Sequence, residues 1–80
     1  MTEHLLDRIE VAALDHASIM YPEAWSYRVR EIRMDMRERH QCSFTVDVTI
    51  EENDDAFLAK HLLLNVKING SKTTTRAIRS

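Results

Sequence analysis

The sequence predicts a two-layer α+β fold: one N-terminal helix at about 3–20, packed on an antiparallel meander of three or four strands at about 28–38, 43–51, 61–69 and 72–77. Three observations carry this reading. Apolar residues recur at steps of three and four near the N-terminus, the spacing of one helix face. The stretch CSFTVDVTIEEND alternates strictly, with Phe44, Val46, Val48 and Ile50 on every second position, the period of a half-buried strand. Finally, folding the flanking segments back onto that strand brings even-numbered apolar residues of three segments to one side, as a sheet with a single buried face demands.

The helix stripe comprises Leu5, Leu6, Ile9, Ala12, Ala13, His16, Ile19 and Met20. Thr2 is a capping residue, and Glu3 sits in the first turn beside the positive end of the helix dipole. Val11 and Leu14 widen the stripe beyond what one small sheet needs. Pro22 pushes Tyr21 away from the helical region and ends the helix there.

The next segment, PEAWSYRVREIRMDMRERH, fits two patterns. Trp25, Val29, Ile32 and Met36 make a helical seam, whereas Ile32, Met34 and Met36 alternate as in a strand. The strand is preferred, because a turn centred near His40 sets Met36 against Phe44, Met34 against Val46 and Ile32 against Val48, with Arg33 across from Asp47. A helix over 22–39 leaves strand 43–51 short of a neighbour. The segment DDAFLAKHLLLNVKING is ambiguous in the same way, with an acidic helix start but clean alternation of Leu62, Leu64, Val66 and Ile68. Asn69-Gly70 is a strong hairpin signal. The expected pairs are Ile50 with Leu62, Val48 with Leu64 and Val46 with Val66, with a helical turn at 54–60 in the connection. SKTTTRAIRS then supplies a threonine-rich edge strand.

Eighty residues make a single domain, 1–80. A core this small rarely yields more than roughly 3–5 kcal/mol of net stability, so help from a second copy is expected. Cys42, the only cysteine, can build neither an internal disulfide nor a thiolate metal site alone. With 11 basic against 13 acidic residues, the chain lacks the general basic field of a nucleic-acid binder. The start has no signal-peptide pattern, and no run approaches the roughly 18 apolar residues of a membrane span. Together with the lone cysteine, this gives a cytoplasmic expectation and no membrane partner. One glycine and one proline leave no room for a glycine-rich phosphate loop.

No residue group reads as a catalytic centre, so the expectation is a non-enzyme without cofactor or metal. The acidic run at 51–55 lacks the alternate-ligand spacing and the glycine of an EF-hand loop, and reads as a solvated connection. His4, His16, His40 and His61 are scattered, and His40 near Cys42 on one turn lacks the orienting third group of a nucleophile pair. Arg28, Arg30, Arg33, Arg37 and Arg39, with Trp25 and Tyr27 nearby, can hold phosphates and stack a base. The acids interleaved with them fit a solvated, ion-paired sheet face better. Trp25 reads slightly better as a plug at one end of the core than as an interface anchor.

The open sheet face, expected to carry Arg33, Asp35, Arg37, Thr45, Asp47, Thr49, Leu63, Asn65 and Lys67, is the surface left for a partner. The resulting expectation is a small interaction module, an adaptor or inhibitor that docks on a larger protein. It acts as a homodimer through Val11 and Leu14 or a sheet edge. Its partner surface is drawn from Trp25, Tyr27, Arg28, Arg30, Arg33, Arg37, Leu63 and Lys67. The rival expectation is a nucleic-acid-binding domain using the Arg28–Arg39 strand with Trp25.

Overall fold

The computed structural model describes residues 2–52 and 59–79. Helix α1 (Thr2–Met20) is followed by strands β1 (Ser26–Arg37), β2 (Gln41–Glu51), β3 (Lys60–Asn69) and β4 (Lys72–Arg79). The strands form one antiparallel sheet in the order β1-β2-β3-β4, and α1 lies across all four. The expected two-layer architecture is the one found. The helical alternative over 22–39 is absent, and residues 60–69 are strand. The helical turn expected at 54–60 falls on a connection largely outside the described residues.

The helix meets the sheet through Ile9, Ala13 and Ala17, all fully buried and four residues apart. Two alanines at the contact keep side-chain bulk small and let the backbone of α1 lie close to the sheet. The sheet answers with Phe44, Val46, Val48 and Ile50 from β2 and Leu62, Leu64, Val66 and Ile68 from β3, all buried. Burying a residue of this size contributes roughly 1.5–3 kcal/mol, so the two central strands carry most of the hydrophobic stabilisation. After Met20 the Tyr21 amide still donates to the Ala17 carbonyl at 2.8 Å. Pro22 follows, without an amide proton to continue the ladder. The Ala24 amide then turns back to the Tyr21 carbonyl, and the Trp25 amide joins the Glu51 carbonyl at 2.7 Å, setting the chain onto the sheet.

Both registers differ from the sequence expectation by two residues with parity preserved. Phe44 faces Met34 rather than Met36, and Val46 faces Ile32. Across β2 and β3, Val48 pairs with Leu62, Val46 with Leu64 and Phe44 with Val66. A two-residue slip returns every side chain to its own face, so the alternation pattern alone cannot distinguish the two registers.

Strand β1 departs further. Its register shifts between Val29 and Glu31 and again between Met34 and Met36, leaving Arg30 and Asp35 as inserted residues. Each bulge reverses the odd–even phase. Tyr27 and Val29 therefore join the helix-facing side opposite Ile50 and Val48, then Ile32 and Met34 take over. Beyond the second bulge Met36 pairs with Ser43, on the solvent side, and Arg37 pairs with Cys42, beside Ile68. The expectation that Met36 lines the core and Arg37 the open face is corrected accordingly.

The β3–β4 turn is a two-residue loop, Gly70-Ser71, closed by the pair Asn69↔Lys72. Of the two loop residues only Gly70 has positive φ, at 62°. A glycine first in a two-residue hairpin loop is the type II′ pattern. The turn thus lies one residue later than an Asn-Gly centre.

Candidate docking surface

The solvent side of the sheet is built from the residues that alternate with the core. From β1 come Arg28, Arg30, Glu31, Arg33, Asp35 and Met36; from β2, Ser43, Thr45, Asp47, Thr49 and Glu51. β3 adds His61, Leu63, Asn65 and Lys67, and β4 adds Thr74 and Arg76. The two bulges enrich this side, because Arg30 and Asp35 make contacts on it that a regular strand would deny to one residue in two.

Arginines and carboxylates pair along the surface. Arg28 Nη2 stands 3.0 Å from Glu51 Oε1, and Arg33 Nε donates to Asp35 Oδ1 at 3.4 Å. The Thr45 hydroxyl donates to the other Asp35 oxygen, tying the second bulge to β2. At the far end, Asn65 Nδ2 donates to Ser43 Oγ at 2.7 Å and reaches the Phe44 carbonyl at 3.3 Å. Ser43 is buried between its cross-strand neighbours Met36 and Lys67.

Asp47 is the exception. Its side chain is 20% exposed, and Oδ1 is closed to solvent with no hydrogen-bond partner among the described residues. Arg30 Nη1 approaches Oδ2 only to 3.8 Å, and His61 Nδ1 approaches Oδ1 only to 3.6 Å. On β1 the residue directly opposite is Glu31, a like charge. On β3 it is Leu63. Glu31, Arg33, Thr45, Asp47 and Leu63 line a shallow depression of about 160 Å³. Two carboxylates and one apolar wall suit an incoming cationic side chain with an aliphatic stem, against the opposing charge of the flanking Arg33.

The sequence-selected residues divide between locations. Arg28, Arg30, Arg33, Leu63 and Lys67 share the open face. Tyr27 does not: it is half-buried against the core, and its hydroxyl donates to the Tyr21 carbonyl. Trp25 precedes the first sheet pair, Ser26↔Glu51, and is 65% exposed, so it does not plug the core. Arg37 lies with Arg39 and His40 at the β1–β2 turn. On α1, Val11 is 67% exposed, whereas Leu14, like Leu5 and Ala12, is partly buried against the core. Sequence reasoning missed Glu31 as Asp47's neighbour and Arg76 on β4. The phase change of the apolar residues, odd at Tyr27 and Val29 and even at Ile32 and Met34, is the signal that locates the first bulge and hence Glu31.

Among the described residues, no three His, Cys, Asp or Glu side chains converge as a metal site would need. No described helix is long and apolar enough to cross a membrane. Comparison of the chain with protein-family models, curated proteins and solved structures returns no match.

Proposed function

We propose that this chain is a small interaction module, an adaptor or inhibitor, that docks a larger protein on its open sheet face and works as a homodimer without catalysis. The observation that carries the reading is Asp47. A carboxylate oxygen shut from water without a hydrogen bond, facing a second carboxylate across the strand, costs the free protein stability. A partner lysine or arginine seated between Glu31 and Asp47, with its stem on Leu63, relieves the repulsion between the two carboxylates at the moment of binding. The paired arginines around it are held in place and supply orientation. The homodimer clause draws support from the small core and from Leu6, Val11, Ile19 and Met20 exposed on α1.

The test is a photo-crosslinking residue placed at Leu63 in the full chain, with the same residue at Val11 as a control on the opposite layer. Reproducible capture of one partner at position 63, lost on Asp47→Asn, supports the docking face. Capture of that partner at position 11 alone overturns it.

A second reading, nucleic-acid binding, is favoured by the largely exposed Arg28, Arg30 and Arg33 side chains. Each, however, already faces a carboxylate, which weakens its claim on phosphate. Titration with mixed DNA and RNA oligonucleotides at low salt separates the readings. Binding that falls steeply with salt and vanishes in Arg28→Ala, Arg30→Ala, Arg33→Ala selects nucleic acid. Absence of binding removes that reading.

A further inference from the structure

The two edges of the sheet are not equivalent. β1 is broken by bulges at Arg30 and Asp35, which discourage strand addition. β4 pairs regularly with β3 from Lys72 to Ala77, and its outer backbone groups have no partner among the described residues. Hydrogen bonding alternates from the pair Asn69↔Lys72 that closes the two-residue turn, so the amides and carbonyls of Thr73, Thr75 and Ala77 point outward. The charge at this edge has one sign. From Lys60 to Ser80 the sequence holds no aspartate or glutamate. Lys72 and Arg76 are exposed on the open face, with Lys67 beside Thr74 on the neighbouring strand. Among the described residues none of the three is paired with a carboxylate. On the helix side Arg8 Nη2 donates to Thr73 Oγ1 at 2.9 Å, which sets a further cation against the edge.

We infer that β4 is a docking edge for an extended, acidic segment of a partner protein, which adds to the sheet as a fifth strand. This edge is independent of the Asp47 depression and of the homodimer clause. Pairing at a sheet edge supplies affinity through backbone bonds, and side chains on alternate positions decide which segment is taken. Lys72 and Arg76 are four residues apart on one face, so partner acids at i and i+4 fall directly opposite them. The position between those acids meets Thr74, and the remaining ones turn to the helix side beside Thr73 and Thr75. The same charge works against a second copy of β4, whose cations would gather at the junction. The depression at Asp47 draws a cationic side chain, so one sheet face offers two surfaces of opposite preference.

The test uses the full chain and a labelled octapeptide of alternating glutamate and threonine. Fluorescence anisotropy measures its affinity, and amide hydrogen exchange read by NMR locates it. Strand addition protects the amides of Thr73, Thr75 and Ala77, whereas those of Thr74 and Arg76 already face β3 and change little. Two cross-strand charge pairs make the double variant Lys72→Glu, Arg76→Glu bind the peptide about 2- to 30-fold more weakly. An octapeptide of alternating lysine and threonine binds that variant more tightly than it binds the parent. Circular dichroism checks the fold of the variant, and the exchange pattern in the parent needs no variant. No association at millimolar peptide overturns the proposal, as does an affinity unchanged in the double variant. Association that leaves Thr73, Thr75 and Ala77 unprotected also overturns it, because that is charge attraction without strand pairing. An oligothymidylate that binds the same residues more tightly than the peptide, without protecting those amides, assigns the edge to nucleic acid instead. Each of these outcomes leaves docking at Leu63 to its own crosslinking result.

Discussion

His61 Nδ1 stands 3.6 Å from Asp47 Oδ1, too far for a hydrogen bond, although that oxygen is shielded from water. The arrangement gives Asp47 Oδ1 neither solvent nor a tight partner. Arg30 and His61 are themselves mostly exposed and lose little if the carboxylate is removed. Asp47→Thr introduces a β-branched, strand-compatible side chain and is expected to stabilise the free protein by about 0.5–2 kcal/mol. Thermal denaturation reads this as a higher melting temperature, at about 4–8 °C per kcal/mol for a domain of this size. A lower melting temperature would show that Asp47 supports the fold, and would remove the argument that it is kept for a partner.

Leu64 is fully buried between Val46 on β2 and Ala77 on β4. Truncating such a residue costs about 2–5 kcal/mol, comparable to the whole net stability of roughly 3–5 kcal/mol expected for so small a core. Leu64→Ala is therefore expected to abolish cooperative melting near 37 °C. Val11→Ala, on the exposed side of α1, should stay within about 0.5 kcal/mol of the parent. Equal effects from the two would contradict the layer assignment.

Gly70 holds φ of 62°, and a Cβ built there would meet nothing within 4 Å. Space is available, so the cost of a side chain is purely conformational. Gly70→Ala should lose about 1 kcal/mol in chemical denaturation, and Gly70→Asn clearly less, because asparagine tolerates the left-handed region. An alanine variant as stable as the parent would show that the turn relaxes to negative φ.

Lys60 Nζ lies 2.9 Å from Glu52 Oε1 and 5.2 Å from the centre of the Tyr21 ring. The hydrogen bond to Glu52, followed by its charge, holds the ammonium above the ordinary lysine value of 10.5. A raised value in the folded state means the contribution is complete below 10.5 and fades as pH climbs through the folded value. The stability gap between the parent and Lys60→Met should thus be constant at neutral pH and close in the strongly alkaline range. The Lys60 side chain is about half exposed, so solvent screens the pair and the gap is small. A gap that widens with alkalinity would have the wrong sign for this pair.

Trp25 is the only tryptophan and is largely exposed. Its fluorescence should resemble that of indole in water in the folded, free protein and be readily quenched by iodide. Trp25→Ala should change stability by less than about 1 kcal/mol, as surface substitutions do. Protected, blue-shifted emission in the free chain would mean the ring is covered.

The helix and the two central strands were legible because each presents one apolar face with an unbroken period. Phe44 to Ile50 and Leu62 to Ile68 alternate without interruption, so their shared face followed directly. The register did not, since parity fixes it only to a multiple of two, and backbone turn geometry decides the remainder. β1 was harder. Its bulges displace Met36 and Arg37 to the faces opposite those expected, and a bulge shows in sequence only as a slipped phase. Of the candidate surface, Arg33, Leu63 and Lys67 lie on the face that alternation suggested, whereas Arg28 and Arg30 reach it only through the phase change at the first bulge. Tyr27 did not, because its hydroxyl found a carbonyl at the helix end. The isolation of Asp47 was invisible, since it depends on distances of a few tenths of an ångström that composition does not encode.

The interruptions at Arg30 and Asp35 also bound how far such a sheet can grow. A molecule with two open rims could recruit copies without limit, toward filaments. Here one rim is spoiled for backbone docking, so whatever joins at the other ends the series, and growth halts at a finite particle.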